Sequence, residues 1–205
     1  MASRLAEHFG ILVPEPAGVE ISQEFGRLLA RSLPQLAPAL QAGPGLSFGS
    51  RVISPMVIWL VGRTIPEAML SDATKIFALD ALMQNPDRRV ENPNLFTQGD
   101  DIFIFDHESS FSFLLAIGGG SSPWNLERET YLQKHVFHSK LRSKKLDLSE
   151  FKNRLEALTE AELAKIRSEV PADWMHEDFD RIAAHLLEVR AHAEEFIEQV
   201  KRSLV

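Results

Sequence analysis

The sequence predicts an α+β protein that is predominantly helical, with a few short strands. Three observations carry this. From Leu126 onward the apolar residues recur at helical spacing through to the end of the chain. Earlier, Ser71 precedes a run in which Ile76, Phe77, Leu79, Leu82 and Met83 share one broad apolar face. Strand character is confined to short runs between turn residues, at Val19 and Ile21 and again at Ile102 to Phe105.

Taken in order, residues 3 to 9 read as a helix with Leu5 and Phe9 on one face and Gly10 just past its end. Pro14 and Pro16 stop any continuation. Gly18 to Ser22 reads as a strand, 23 to 33 as a short helix, and Pro34 to Gly45 as loop. Gly49 to Ile53 is a strand or connector. Thr64 precedes a helical turn with Pro66 near its first position, and Ser71 is placed to cap the helix that runs to about Met83. Residues 95 to 105 form a hairpin around Gln98-Gly99-Asp100-Asp101. Phe111 to Ile117 is apolar and helical in character, and Gly118-Gly119-Gly120-Ser121-Ser122-Pro123 is a flexible loop. Two pairs, Asp147 with Glu150 and Thr159 with Glu162, have capping-box spacing. A final helix carries Phe179, Ile182, Leu186, Val189, Ala193, Phe196 and Val200 at alternating spacings of three and four. That stripe packs on the domain's own core in the simpler reading. The alternative is a homodimer or partner-helix seam through 179–200.

The bulk properties are those of a globular protein able to bury a core: 205 residues, 44% apolar and 25% charged. A net charge of −7 argues against a nucleic-acid surface, which needs clustered Lys and Arg. There is no cysteine, so disulfides and thiolate metal sites are excluded. The longest apolar run, Met56 to Gly62, is far short of the ~20 residues that span a bilayer. The first residues lack the sustained apolar core of a secretion signal, and a cytoplasmic location is the expectation.

The chemistry concentrates in residues 85 to 106. Asp87 is followed five positions later by Asn92, and Asp106 follows Asn92 by fourteen, closing the apolar run Phe103-Ile104-Phe105. Phosphoryl transfer from Mg-ATP needs such a set: one carboxylate to accept the hydroxyl proton, and an amide and a second carboxylate to hold the metal. Asp87 is the candidate base, with Asn92 and Asp106 as candidate Mg²⁺ ligands, since hard cations take oxygen. The structural alternative is a plain turn at Asn85-Pro86-Asp87 and a strand-end cap at Asp106.

The run Phe77 to Leu95, together with Ile104-Phe105-Asp106-His107-Glu108, closely resembles the HipA-like kinases. That family writes a helix ending F-D-x-L, then N-x-D-R, N-x-N-L and a strand closing in I-D-H. This chain differs modestly, with Leu79 before Asp80 and Phe105 before Asp106. Ala6 to Glu15 is similar to the family's A-x-x-x-G-L-x-V-P-E, Gly45 to Ser50 to a segment near its interlobe connection, and Val170-Pro171-Ala172-Asp173-Trp174 to its P-x-x-W element. The resemblance implies a protein-kinase-like C-lobe with a helical C-terminal extension, the core at 1–124 and the extension at 125–205. It also implies ATP and Mg²⁺ as cofactors, and Asp87, Asn92 and Asp106 in the roles above. Asn85 then stands where ordinary protein kinases have His, and His107 where they have Phe. For Arg88 two roles are open, charge neutralisation at the phosphoryl group or a structural ion pair.

Such kinases also use a Gly-rich loop and a strand Lys to grip the phosphates. Gly118 to Ser121 falls after Asp106 with no following Lys at the required spacing, and Lys75 is expected to be solvated. The expectation is therefore a C-lobe lacking most of its N-lobe. Two functions lead at this point: a Ser/Thr-kinase-type phosphotransferase acting on a protein substrate, its N-lobe supplied upstream or by a partner chain, or a catalytically silent relative that binds a partner; a small-molecule phosphotransferase, which shares the same metal geometry, is a third and weaker reading. His135 and His138, three apart, lack an evident third metal ligand and are expected to be core or surface residues. Lys140 to Lys145 is a basic cluster expected to be a solvated segment, and Trp59, Trp124 and Trp174 are expected to pack.

Overall fold

A computed structural model describes residues 1–38, 45–115, 122–171, 174 and 178–205. The chain divides into two compact units, Met1–Val13 with Pro55–Val205, and Pro14–Ser54. In the smaller unit β1 (Pro16–Ile21) pairs antiparallel with β2 (Gly45–Ser50), from Pro16 opposite Ser50 to Ile21 opposite Gly45. This pairing places β2 earlier than the Gly49–Ile53 segment expected from sequence. Between the strands, α2 (Gln23–Ser32) starts at Ser22, whose hydroxyl accepts the Phe25 N–H at 3.2 Å. Of the loop expected at 34–45, residues 39–44 lie outside the described residues, Pro34–Leu36 is a 3₁₀ turn and Gly45 already belongs to β2.

The larger unit begins with α1 (Ala2–His8). Gly10, at φ 69°, closes it as a Schellman motif: Ile11 N–H bonds the Ala6 carbonyl and Gly10 N–H that of Glu7, both at 2.9 Å. The chain then runs beside β5 (Asp101–Ile104), where Ile104 N–H donates to the Leu12 carbonyl at 3.0 Å. A three-stranded antiparallel sheet follows the order β3 (Val57–Ile58), β4 (Leu95–Gln98), β5. The expected hairpin is present, with Gln98 opposite Asp101 and Gly99 at φ 61°, as the first position of a tight hairpin turn requires.

At the centre lies α3 (Leu70–Leu82), in which every residue from Ala73 to Leu82 is buried. A helix buried all round is the middle of a core rather than a surface element. It begins earlier than Ser71, because a 3₁₀ turn at Glu67–Met69, entered through Pro66, runs straight into it. Lys75, expected to be solvated, is buried and paired with Asp72 at 2.9 Å. Against α3 pack α4 (His138–Leu141) and α8 (Ala193–Arg202), while α5 (Ser149–Glu156) packs on α7 (Phe179–Ala191) and α8, and α6 (Glu160–Ser168) on α7. Phe9 stacks on Phe151 with centroids 4.4 Å apart, joining α1 to α5.

Several expectations need correction. The final helix is two helices, interrupted at His192 (φ −116°, ψ 36°), whose ring stacks on Trp124 at 3.6 Å. All seven stripe residues from Phe179 to Val200 are buried in this chain's own core, so a second copy cannot use them as a seam without unpacking it. Helix is also not continuous after Leu126. Thr130–Lys134 is 3₁₀, and His135 takes φ −59°, ψ 141° because Val136 N–H bonds the Arg88 carbonyl at 3.0 Å. The apolar stretch after Phe111 is likewise a 3₁₀ turn, Ser112–Leu115, and the glycine run at 118–120 with Ser121 lies outside the described residues. Of the two capping boxes, Thr159 accepts the Glu162 N–H at 3.2 Å as expected. Asp147 instead caps Ser149, accepting its N–H at 2.9 Å, with Leu148 at the helix boundary.

This packing sets a clear contrast for mutagenesis. Phe151→Ala, at a fully buried site, is expected to cost about 3–5 kcal/mol in chemical denaturation. Leu60→Ala, at a residue 68% exposed, is expected to cost less than about 0.5 kcal/mol. Similar losses for the two would contradict the placement of the core.

Candidate active site

The site grows from the C-terminal end of α3. Asp80 is a carboxylate with no exposed surface in the otherwise apolar stretch 76–83, so it must be paired where it lies. Asn85 folds back onto it after a left-handed Gln84 (φ 46°): its amide donates to Asp80 Oδ1 at 2.9 Å and its backbone N–H to the Asp80 carbonyl at 2.9 Å. Arg88 donates from Nε to Asp80 Oδ2 at 2.6 Å. His135 donates from Nε2 to the same oxygen at 2.9 Å, since its Nδ1 is occupied in accepting the Phe137 N–H at 3.1 Å.

These partners decide the electrostatics. Burial alone would raise the Asp80 carboxyl, but the Arg88 guanidinium and the His135 hydrogen bond outweigh it and hold the group well below the usual carboxylate range. His135 itself is pushed down, chiefly by burial, and stays neutral.

Arg88 also reaches the strands. Its Nη1 donates to the Asn94 carbonyl at 2.6 Å and to the Phe105 carbonyl at 3.4 Å, and its Nη2 meets His107 Nδ1 at 3.4 Å. Phe105 N–H bonds that same Asn94 carbonyl at 3.1 Å. One guanidinium therefore ties α3, the 85–92 loop, the start of β4 and the segment after β5. Of the two roles open for Arg88, the buried structural ion pair is the one it fills. His107, accepting at Nδ1, carries its proton on Nε2, which is buried with no partner among the described residues. Burial, then the Arg88 charge, bring its pKa down to about 4.

On this frame Asp87 and Asn92 come together. Asp87 Oδ2 accepts the Asn92 amide at 2.8 Å and the Asn94 amide at 3.0 Å, while Oδ1 accepts from Arg89 Nη2 at 3.1 Å. Arg89 N–H also bonds the Asn92 carbonyl at 3.1 Å, and Asn92 N–H bonds that of Arg89 at 3.2 Å, so the loop is tight. With its nitrogen turned to Asp87, Asn92 keeps its side-chain oxygen for another partner. Asp106, two residues past β5, is exposed, has φ 55°, and receives no hydrogen bond from the described residues. An amide oxygen and a free carboxylate fit Mg²⁺, which prefers oxygen and completes its shell with water and substrate phosphate. Among the described residues no cluster of three or more His, Asp or Glu offers a self-sufficient metal cage.

Asp80, Asn94 and His135 are the site residues that sequence reasoning passes over. The available signal was a charge inside the apolar run 76–83, which burial obliges to find a partner. His138, by contrast, bonds the Ser203 carbonyl at 2.9 Å, in keeping with a structural histidine.

Two outcomes follow for stability. Asp80→Asn leaves the Arg88 charge buried without its counterion and is expected to cost about 3–5 kcal/mol in urea denaturation. A loss under about 1 kcal/mol would contradict the pairing. Separately, His107, His135 and His185 all have lowered pKa values in the folded state. The unfolded chain therefore binds protons below the ordinary value of 6.5 that the folded chain refuses until lower pH, near 4 for His107. Stability should be full above that ordinary value and fall steadily as the pH drops through this window. A flat denaturation midpoint across it would contradict the burial of these rings.

Among curated proteins and among solved structures, none matches the chain. A family model described as HipA-like kinase matches residues 1–202. The chain belongs to the HipA-like kinase family.

Proposed function

We propose that this chain carries the base and the metal ligands of a Ser/Thr-kinase-type phosphotransferase that uses Mg-ATP. The observation that carries the reading is the direct 2.8 Å bond between Asp87 and Asn92; Asp106, the third residue of the set, is exposed and left-handed at φ 55°. A non-glycine residue held in that backbone region costs on the order of 1–3 kcal/mol, and such strain clusters at functional sites. In this mechanism Asp87 orients the acceptor hydroxyl and takes its proton as the oxygen bonds to the terminal phosphorus. The bond from that phosphorus to the bridging oxygen breaks, and ADP leaves with the electron pair. Asn92 and Asp106 would hold Mg²⁺, which neutralises charge on the phosphate oxygens when bound. Asn94 fixes the second lone pair of Asp87 Oδ2, keeping the carboxylate oriented.

The larger unit then corresponds to a kinase-like C-lobe, with 125–205 as its helical extension. Support for one shared core comes from His185, on α7, which bonds the Leu82 carbonyl at the end of α3 at 2.9 Å. A protein substrate and a cytoplasmic setting belong to the same proposal. No described helix is long and apolar enough to cross a membrane.

Saturating Mg-ATP is expected to raise the melting temperature of the wild type, on the order of 5 °C at a hundredfold excess over Kd, and to leave Asp106→Ala unmoved. No shift for the wild type, or an equal shift for both, would overturn the reading.

A further inference from the structure

The free lone pairs of Asp87 point to what the acceptor must carry. Oδ2 is committed to two amides, Asn92 at 2.8 Å and Asn94 at 3.0 Å. A carboxylate oxygen offers two lone-pair sites, so Oδ2 has none left for a hydroxyl. Oδ1 accepts once, from Arg89 Nη2 at 3.1 Å, and keeps one site open. Arg89 is the exposed member of this set: its side chain is 46% exposed against 19% for Asp87, while Asn94 is buried. A hydroxyl bonded to Oδ1, at about 2.7 Å, therefore arrives beside a guanidinium. Of the five N–H donors of that guanidinium, one is engaged among the described residues.

We infer that Arg89 is a specificity-determining residue, and that the acceptor carries a carboxylate next to its reacting hydroxyl. Arg89 presents a planar fork that matches a carboxylate with two parallel hydrogen bonds. An acceptor with a neutral neighbour would crowd the guanidinium and give it nothing in exchange. An acidic neighbour draws Arg89 off Oδ1 and frees that oxygen for the proton. This inference rests on the phosphotransfer reading for the identity of the incoming group as a hydroxyl acceptor.

The test is a nuclear magnetic resonance titration of the full chain with the blocked tripeptides Asp-Ser-Asp and Asn-Ser-Asn. The Arg89 Nε–H signal is assigned by its loss in Arg89→Gln. The acidic peptide is expected to move that signal and to bind about fivefold more tightly than the amide peptide, the scale of one exposed ion pair. Arg89→Gln should abolish the preference and keep Mg-ATP affinity within about twofold of wild type. Equal binding of the two peptides, or no movement with either, overturns the inference. A loss of Mg-ATP affinity, but not of Mg-ADP affinity, in Arg89→Gln assigns the guanidinium to the terminal phosphoryl group and also overturns it. If Mg-ATP fails to bind the wild type while the acidic preference persists, the phosphotransfer reading fails and the anion contact stands.

Discussion

Arg88 is almost completely buried and pairs, 2.6 Å from Nε to Oδ2, with the equally buried Asp80. A pair of this kind contributes little net stability over an apolar pair of similar volume, because both ions have been taken out of water. Its consequence is geometric. With Nε on Asp80, Nη1 falls on the carbonyls of Asn94 and Phe105, and Nη2 on Asp80 Oδ1 and His107 Nδ1, each at 3.4 Å. Remove either ion and the other is left charged in a dry core, so the loop and the two strand ends must move together. The positions of Asp87, Asn92 and Asp106 therefore depend on a contact that none of them makes.

Strain is distributed around the same pair. Asn94 at φ 48° and Asp106 at φ 55° bracket the β4–β5 hairpin, and Gln84 at φ 46° and Phe111 at φ 63° bracket the loop and hairpin together. These last two are tied to each other's segments, since Phe111 N–H bonds the Met83 carbonyl at 2.6 Å and the Ser112 hydroxyl bonds that of Gln84 at 2.8 Å. The left-handed Asn94 is held by Arg88 through its carbonyl and bonds Asp87 through its amide. The cost of these backbone conformations is met by a rigid surround: a helix buried on every side, and the His135 rung from a distant segment. That rigidity is what a preorganised phosphotransfer site requires, since positioning and charge supply nearly all of the catalysis.

The residues proposed as base and metal ligands could be singled out in the sequence because they lie close together along the chain. Asp87 and Asn92 share one tight loop, and Asp106 follows a hairpin whose Gly99 turn and alternating apolar residues are plain. The α3 face was legible for the same reason, from helical periodicity. What escaped was long-range. His135 reaches Asp80 from 55 residues away, and no periodicity foretells that His135 will leave helical geometry so that Val136 N–H bonds the Arg88 carbonyl. Lys75 escaped because its partners, Asp72 and Glu150, include one from α5 that only the fold brings near. The last helix is broken at His192, whose ring stacks on Trp124, a long-range contact again invisible to spacing.

The claim that the Asp80–Arg88 pair exists to position the site is tested most directly by a double-mutant cycle with Asp80→Leu and Arg88→Met. Each single variant should be strongly destabilised, and the double variant should regain most of the lost stability, as isosteric apolar replacement of buried ions commonly does. The deciding measurement is the Mg-ATP affinity of the double variant by calorimetry. An affinity reduced at least about tenfold, in a protein that is otherwise stably folded, is the expected result for a positioning pair. An affinity equal to that of the wild type would contradict it.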